Sequence, residues 1–89
     1  MIEGLKVNQE TNPAGVPAED VMFSWEAGEE RQFTVEMCSD AAYKRTVMYV
    51  DTRNHFYRYD GLPLKEGKTY YWRVRSGIGK WSTAEFATA

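Results

Sequence analysis

From Lys68 to Ser76 the side chains alternate so that Tyr70, Trp72 and Val74 share one face and Tyr71, Arg73 and Arg75 the other. A period of two belongs to a half-buried β-strand, and no long stretch of the chain keeps the 3.6-residue period of a helix. The same alternation recurs in shorter runs. Val21–Glu26 places Val21, Phe23 and Trp25 on one side and Met22 and Ser24 on the other. Arg31–Cys38 turns Phe33, Val35 and Met37 inward and Gln32, Thr34 and Glu36 outward. Lys80–Thr88 sets Ser82, Ala84 and Phe86 opposite Trp81, Thr83 and Glu85. Leu5–Gln9, Thr46–Asp51 and Phe56–Tyr59 read as three further strands.

Breakers punctuate these runs. Two prolines and a glycine in Glu10–Pro17 argue against continued pairing there. Ala27–Glu30 reads as a hairpin connection, Thr52–Asn54 as a turn, and Gly77–Gly79 as a tight hairpin. Asp60-Gly61 and Pro63 break the chain before the Lys68 strand. Ser39–Lys44 is expected to form one helical turn, capped by Ser39 or Asp40. Seven short strands with a turn every eight to twelve residues predict an all-β fold, a seven-stranded antiparallel immunoglobulin-like β-sandwich. Its expected core draws on Phe23, Trp25, Phe33, Val35, Trp72, Val74 and Phe86. With 89 residues and no internal repeat or linker, residues 1–89 are expected to form one domain.

Composition sharpens this picture at two points. Aromatic residues make up 15% of the chain, which suits a small domain that has to gain its buried area from few side chains. Eleven basic residues against 13 acidic ones give a net charge of −2, without the basic excess that a phosphate-neutralising surface needs, so a nucleic-acid partner is not expected. Cys38 is the only cysteine, which excludes an intrachain disulfide and a cysteine-rich metal cluster. No basic segment followed by an apolar run opens the chain, and no apolar stretch approaches the roughly 20 residues of a membrane-spanning helix. The compartment is left open.

Leu64-Lys65-Glu66-Gly67-Lys68-Thr69-Tyr70-Tyr71-Trp72-Arg73-Val74-Arg75 resembles the hallmark of fibronectin type III domains. In that family a leucine closes one end of the sandwich, and six residues on a tyrosine hydroxyl bonds the chain near the crossover. The resemblance gives these roles to Leu64 and Tyr70 and makes Trp25 the core tryptophan of the second strand. Val7-Asn8, Asn12-Pro13-Ala14-Gly15-Val16, Phe23-Ser24-Trp25, Val50-Asp51-Thr52, Tyr59-Asp60-Gly61-Leu62-Pro63-Leu64 and Trp81-Ser82 with Phe86 extend it over the whole chain. Together they are similar to the N-terminal accessory domain of bacterial α-L-rhamnosidases of glycoside hydrolase family 78. Two departures stand out: Tyr49 and Val50 replace the usual Trp before Asp, and the Arg75-to-Trp81 hairpin is short. The resemblance implies an accessory module that stabilises, spaces or docks a catalytic domain.

The residues themselves point away from catalysis. Inverting glycosidases hold two carboxyl groups about 6.5–9.5 Å apart across a cleft. Here the adjacent acids Glu19-Asp20 and Glu29-Glu30 fall in expected solvated turns. A single histidine, His55, precludes a multi-histidine metal site, and Asp40, Asp51 and Asp60 lack calcium-loop spacing. No cofactor is expected, and the chain by itself is not expected to be an enzyme. The candidate functional surface is the outer face carrying Tyr71, Arg73, Arg75 and Trp81. Guanidinium groups on the Trp81 indole would brace the sheet, or anchor a neighbouring domain of the parent protein. Tyr57, Tyr71 and Trp81 are, alternatively, a sugar-stacking platform, which would make the chain a carbohydrate-binding module. A generic adhesion or spacer domain is the third reading.

Overall fold

The computed structural model describes residues Met1–Ala89 and contains strands and turns but no helix. Seven strands follow one another: β1 (Glu3–Val7), β2 (Met22–Glu26), β3 (Phe33–Cys38), β4 (Thr46–Thr52), β5 (Phe56–Arg58), β6 (Thr69–Arg75) and β7 (Ser82–Ala87). They form a three-stranded sheet ordered β1-β2-β5 and a four-stranded sheet ordered β4-β3-β6-β7, with every pair antiparallel. The fold is therefore an immunoglobulin-like sandwich in which the fourth strand sits beside the third. In a constant-type immunoglobulin domain the fourth strand joins the other sheet.

The alternating residues meet between the sheets. Phe23 of β2 packs on Trp72 and Phe86 of the opposite sheet, with ring centroids 4.7 and 5.8 Å apart. Trp25 meets Phe33 edge-on at 5.5 Å, and Tyr70 stacks on Phe86 at 5.7 Å. Each ring pair adds about 0.5–1.5 kcal/mol beyond the area it buries. Val35, Trp72 and Val74 are fully buried, and Leu64 is 7% exposed at the end of the sandwich. The indole N–H groups of Trp25 and Trp72 are buried without an acceptor. The apolar area of the two rings offsets that cost. Tyr70, 3% exposed, ties the end shut: its hydroxyl accepts from the backbone N–H of Lys65 at 2.9 Å.

Four local expectations are corrected. β2 and β3 lie in different sheets, so Ala27–Glu30 belongs to a crossover between layers, not to a hairpin. The inward faces of both strands are apolar, and each is covered only when the other strand lies across the core from it. β1 stops at Val7 instead of Gln9, because Asn8 (φ 49°) and Gln9 (φ 69°) adopt the left-handed pair of a tight two-residue turn. Val7 and Glu10 close that turn with backbone bonds of 2.9 and 3.0 Å. The Asn8 side chain then accepts from Met22 N–H and donates to Asp20 C=O, both at 2.8 Å, which sets where β2 begins. The Pro13–Val16 segment pairs after all: the Pro13 carbonyl accepts from Ala87 N–H at 2.9 Å, and Val16 N–H donates to Ala87 C=O at 3.0 Å. Proline lacks only the donor, so its carbonyl still serves a neighbouring strand. Ser39–Lys44 forms turns and not a helical turn, because Tyr43 takes φ 56°.

Candidate functional site

The outer face of the four-stranded sheet gathers most of the charged and aromatic side chains singled out in the sequence. Register places Glu36 beside Arg73, Cys38 beside Tyr71 and Thr34 beside Arg75 across β3 and β6. On the far side of β6, Arg73 faces Thr83 and Tyr71 faces Glu85. Trp81, which precedes β7, lies over two guanidinium groups: Arg73 Cζ is 4.2 Å and Arg75 Cζ 4.3 Å from its ring. The expected ladder of Arg73, Arg75 and Trp81 is thus assembled, with Tyr71 half-buried on the same face. Tyr57 is not part of it. It belongs to β5 in the other sheet, where its hydroxyl donates to Asp60 Oδ1 at 3.1 Å. The three-ring platform of Tyr57, Tyr71 and Trp81 therefore does not form on one surface.

Two members of the cluster escaped the sequence reading. Glu36 lies on the outward-facing side of β3 yet is 5% exposed. Its Oε1 accepts from Arg73 Nε at 2.8 Å and lies 2.7 Å from Arg73 Nη2, while Oε2 accepts from the Thr46 hydroxyl at 2.9 Å. Tyr43 covers the arginine of this pair. Its ring lies 4.2 Å from Arg73 Cζ, and its hydroxyl donates to the Trp72 carbonyl at 3.1 Å. Arg73 is thereby held between two rings and against one carboxylate, which satisfies a charge that the strand alone would leave to solvent. Tyr43 reaches it because Asp40 shapes the preceding turn, its carboxylate accepting from Arg45 N–H at 2.8 Å and Lys44 N–H at 3.1 Å. Those backbone donors, Arg45 foremost, hold the Asp40 carboxyl below the usual aspartate range.

The electrostatics suit recognition better than proton transfer. The Glu36 carboxylate is committed to Arg73 and Thr46. Burial pushes the Cys38 thiol up, away from the reactive thiolate. Burial also raises the phenol of Tyr43. One acid of each adjacent pair is in a structural contact too: Asp20 bridges Arg58 at 2.7 Å, and Glu30 takes the N-terminal ammonium at 2.6 Å. That ammonium, hydrogen-bonded to it, draws the Glu30 carboxyl down, opposite to the rise a general acid needs. His55 is exposed at the start of β5, edge-on to Phe33 at 5.2 Å. No group of three His, Cys, Asp or Glu side chains converges to hold a metal ion.

Fold and face together define an immunoglobulin-like β-sandwich with an aromatic–arginine outer surface. The family described as "Rha78A-like, N-terminal immunoglobulin domain" matches residues 2–89, and the chain belongs to it. Among solved structures, the α-L-rhamnosidase from Dictyoglumus thermophilum shares the fold with a TM-score of 0.80 over 99% of this chain, at 23% sequence identity. The chain spans 12% of that protein's length. No curated protein sequence matches it.

Proposed function

We propose that this chain is a non-catalytic accessory domain, formed by residues 1–89 together, of a bacterial glycoside hydrolase resembling α-L-rhamnosidase. In this reading it stabilises, spaces or docks the catalytic domain. The observation that carries the reading is the family match, which aligns nearly the whole chain with an N-terminal immunoglobulin domain. The carboxylates of Glu36, Asp20 and Glu30, each held in a structural contact, agree with it. The docking face is the surface of Tyr71, Arg73, Arg75 and Trp81. Ring and guanidinium groups held rigid before binding lose little entropy on contact and are typical interface anchors.

The test is a calorimetric titration of the chain against the catalytic region encoded in the same reading frame. Association is expected, weakened about 30-fold by Trp81→Ala, the effect of a hot-spot truncation worth about 2 kcal/mol. Lys6→Ala, on the outer face of the other sheet, is expected to leave it unchanged. No association, together with unaltered stability of the full protein after deletion of this domain, overturns the reading. So does a reading frame that holds tandem copies of this fold and no catalytic region.

A further inference from the structure

The two sheets have four outer edges, and three are blocked. β1 carries an irregularity between Glu3 and Lys6, where Gly4 takes φ 62°, and both flanking residues are charged. β5 is only three residues long. β7 is covered by the segment before Pro17: Pro13 and Val16 bond Ala87, and Asn12 Oδ1 accepts from Glu85 N–H at 3.1 Å. Short length, charge, bulges and a covering loop are the means by which sheets avoid recruiting further strands. β4 is different. It runs for seven residues, Thr46–Thr52, without proline, glycine or lysine. Its one bulge lies at Val47, before the regular run Met48–Thr52. β4 pairs with β3 alone, and no backbone hydrogen bond outside that ladder involves residues 46–52. Its outward N–H and C=O groups are therefore open, next to a Tyr49 side chain that is 56% exposed.

We propose that β4 is a self-association edge, pairing antiparallel with β4 of a second copy of this chain about a twofold axis at Val50. That register uses the whole regular run. On the outer face it sets Tyr49 opposite the partner's Asp51, twice by symmetry, so that each phenol donates to a carboxylate. Asp51 Oδ1 already accepts from Thr34 Oγ1 at 2.7 Å, and Oδ2 is free for the phenol. On the inner face Val50 meets its own symmetry mate and Met48 meets the partner's Thr52. A donor facing an acceptor in both symmetry-related positions is the complementarity an isologous pair requires, and it favours a second copy as the occupant. Five residues bury little area, so the dimer is weak and forms at high concentration. This inference does not rest on the docking role proposed above.

Sedimentation equilibrium of the full chain from about 10 µM to about 1 mM tests it. A concentration-dependent dimer is expected. Tyr49→Asp, which sets like charges opposite one another, is expected to raise its Kd at least about tenfold. Adding Asp51→Lys to Tyr49→Asp makes each facing pair opposite in sign and is expected to restore the dimer. Amide exchange of Met48–Thr52, slowing as the concentration of unsubstituted chain rises, reports the same pairing with no substitution. A monomer at about 1 mM overturns the proposal. So do equal dimerisation of all three proteins and amides indifferent to concentration.

Discussion

Arg73 shows how one side chain ties a local pattern to long-range structure. Alternation puts it on the outer face of β6, but its environment comes from three other segments: Glu36 of β3, Tyr43 of the Asp40 turn and Trp81 before β7. Truncating it leaves a nearly buried carboxylate without its cation. Arg73→Ala is therefore expected to cost about 3 kcal/mol, the low end for breaking a buried pair, because the arginine keeps 24% of its side chain exposed. Urea denaturation checks this; a loss below about 0.5 kcal/mol would mark the pair as an ordinary surface contact. Tyr70 carries a simpler expectation. Removing its hydroxyl leaves Lys65 N–H unpaired at the closed end of the sandwich, so Tyr70→Phe is expected to lower stability by about 1–2 kcal/mol with the core ring still in place. The same denaturation series measures it.

At the scale of elements, strand existence follows from side-chain alternation, whereas connections follow from what each strand packs against. Val21–Glu26 and Arg31–Cys38 both showed their inner faces in sequence, yet the polar residues between them do not reveal whether the chain turns back or crosses over. The Ser39–Lys44 turn teaches a related lesson. Asp40 does cap backbone N–H groups there, but Tyr43 leaves helical space to place its ring on Arg73. A tertiary contact overrides the local preference. That turn has an acid dependence of definite sign. The folded-state carboxyl of Asp40 titrates below its unfolded value, so its contribution is fully present above the ordinary aspartate range and is lost as pH falls through the lower, folded value. Thermal melts from pH 6 down to about pH 2 are expected to show Asp40→Asn less stable than the unsubstituted chain at the upper end. The gap is expected to close on acidification; a gap independent of pH would assign the loss to something other than the charge.

The whole molecule depends on one aromatic interior spanning two thin sheets. Phe23 and Trp25 come from the smaller sheet; Phe33, Trp72 and Phe86 come from the larger. A sandwich of this size has total stability of about 5–10 kcal/mol. Trp25→Ala, removing a ring 3% exposed, is expected to cost about 3–5 kcal/mol and leave the chain close to unfolded at 25 °C. Loss of the near-ultraviolet circular dichroism signal would report it; retention of a cooperative melt near that of the parent would contradict this packing. The buried rings secure the sandwich, whereas the aromatic–arginine ladder and the β4 edge lie outside that core.

The amino-acid sequence by itself determined the strands, the residues facing inward, the tyrosine that closes the end and the family resemblance. The strands and their inward faces are carried by neighbours a few positions apart, through the period-two geometry of extended backbone and the turn chemistry between runs, whereas the role of the tyrosine came with the family resemblance of Leu64–Arg75. Only the tertiary structure decided that β2 and β3 part company, that Tyr57 lies away from Trp81, that Glu36 is buried against Arg73 and that β4 is the open edge. Each of these depends on register and layer assignment between segments far apart in the chain. Such pairings are selected by the packing of the whole sandwich, and no local window of residues contains that information.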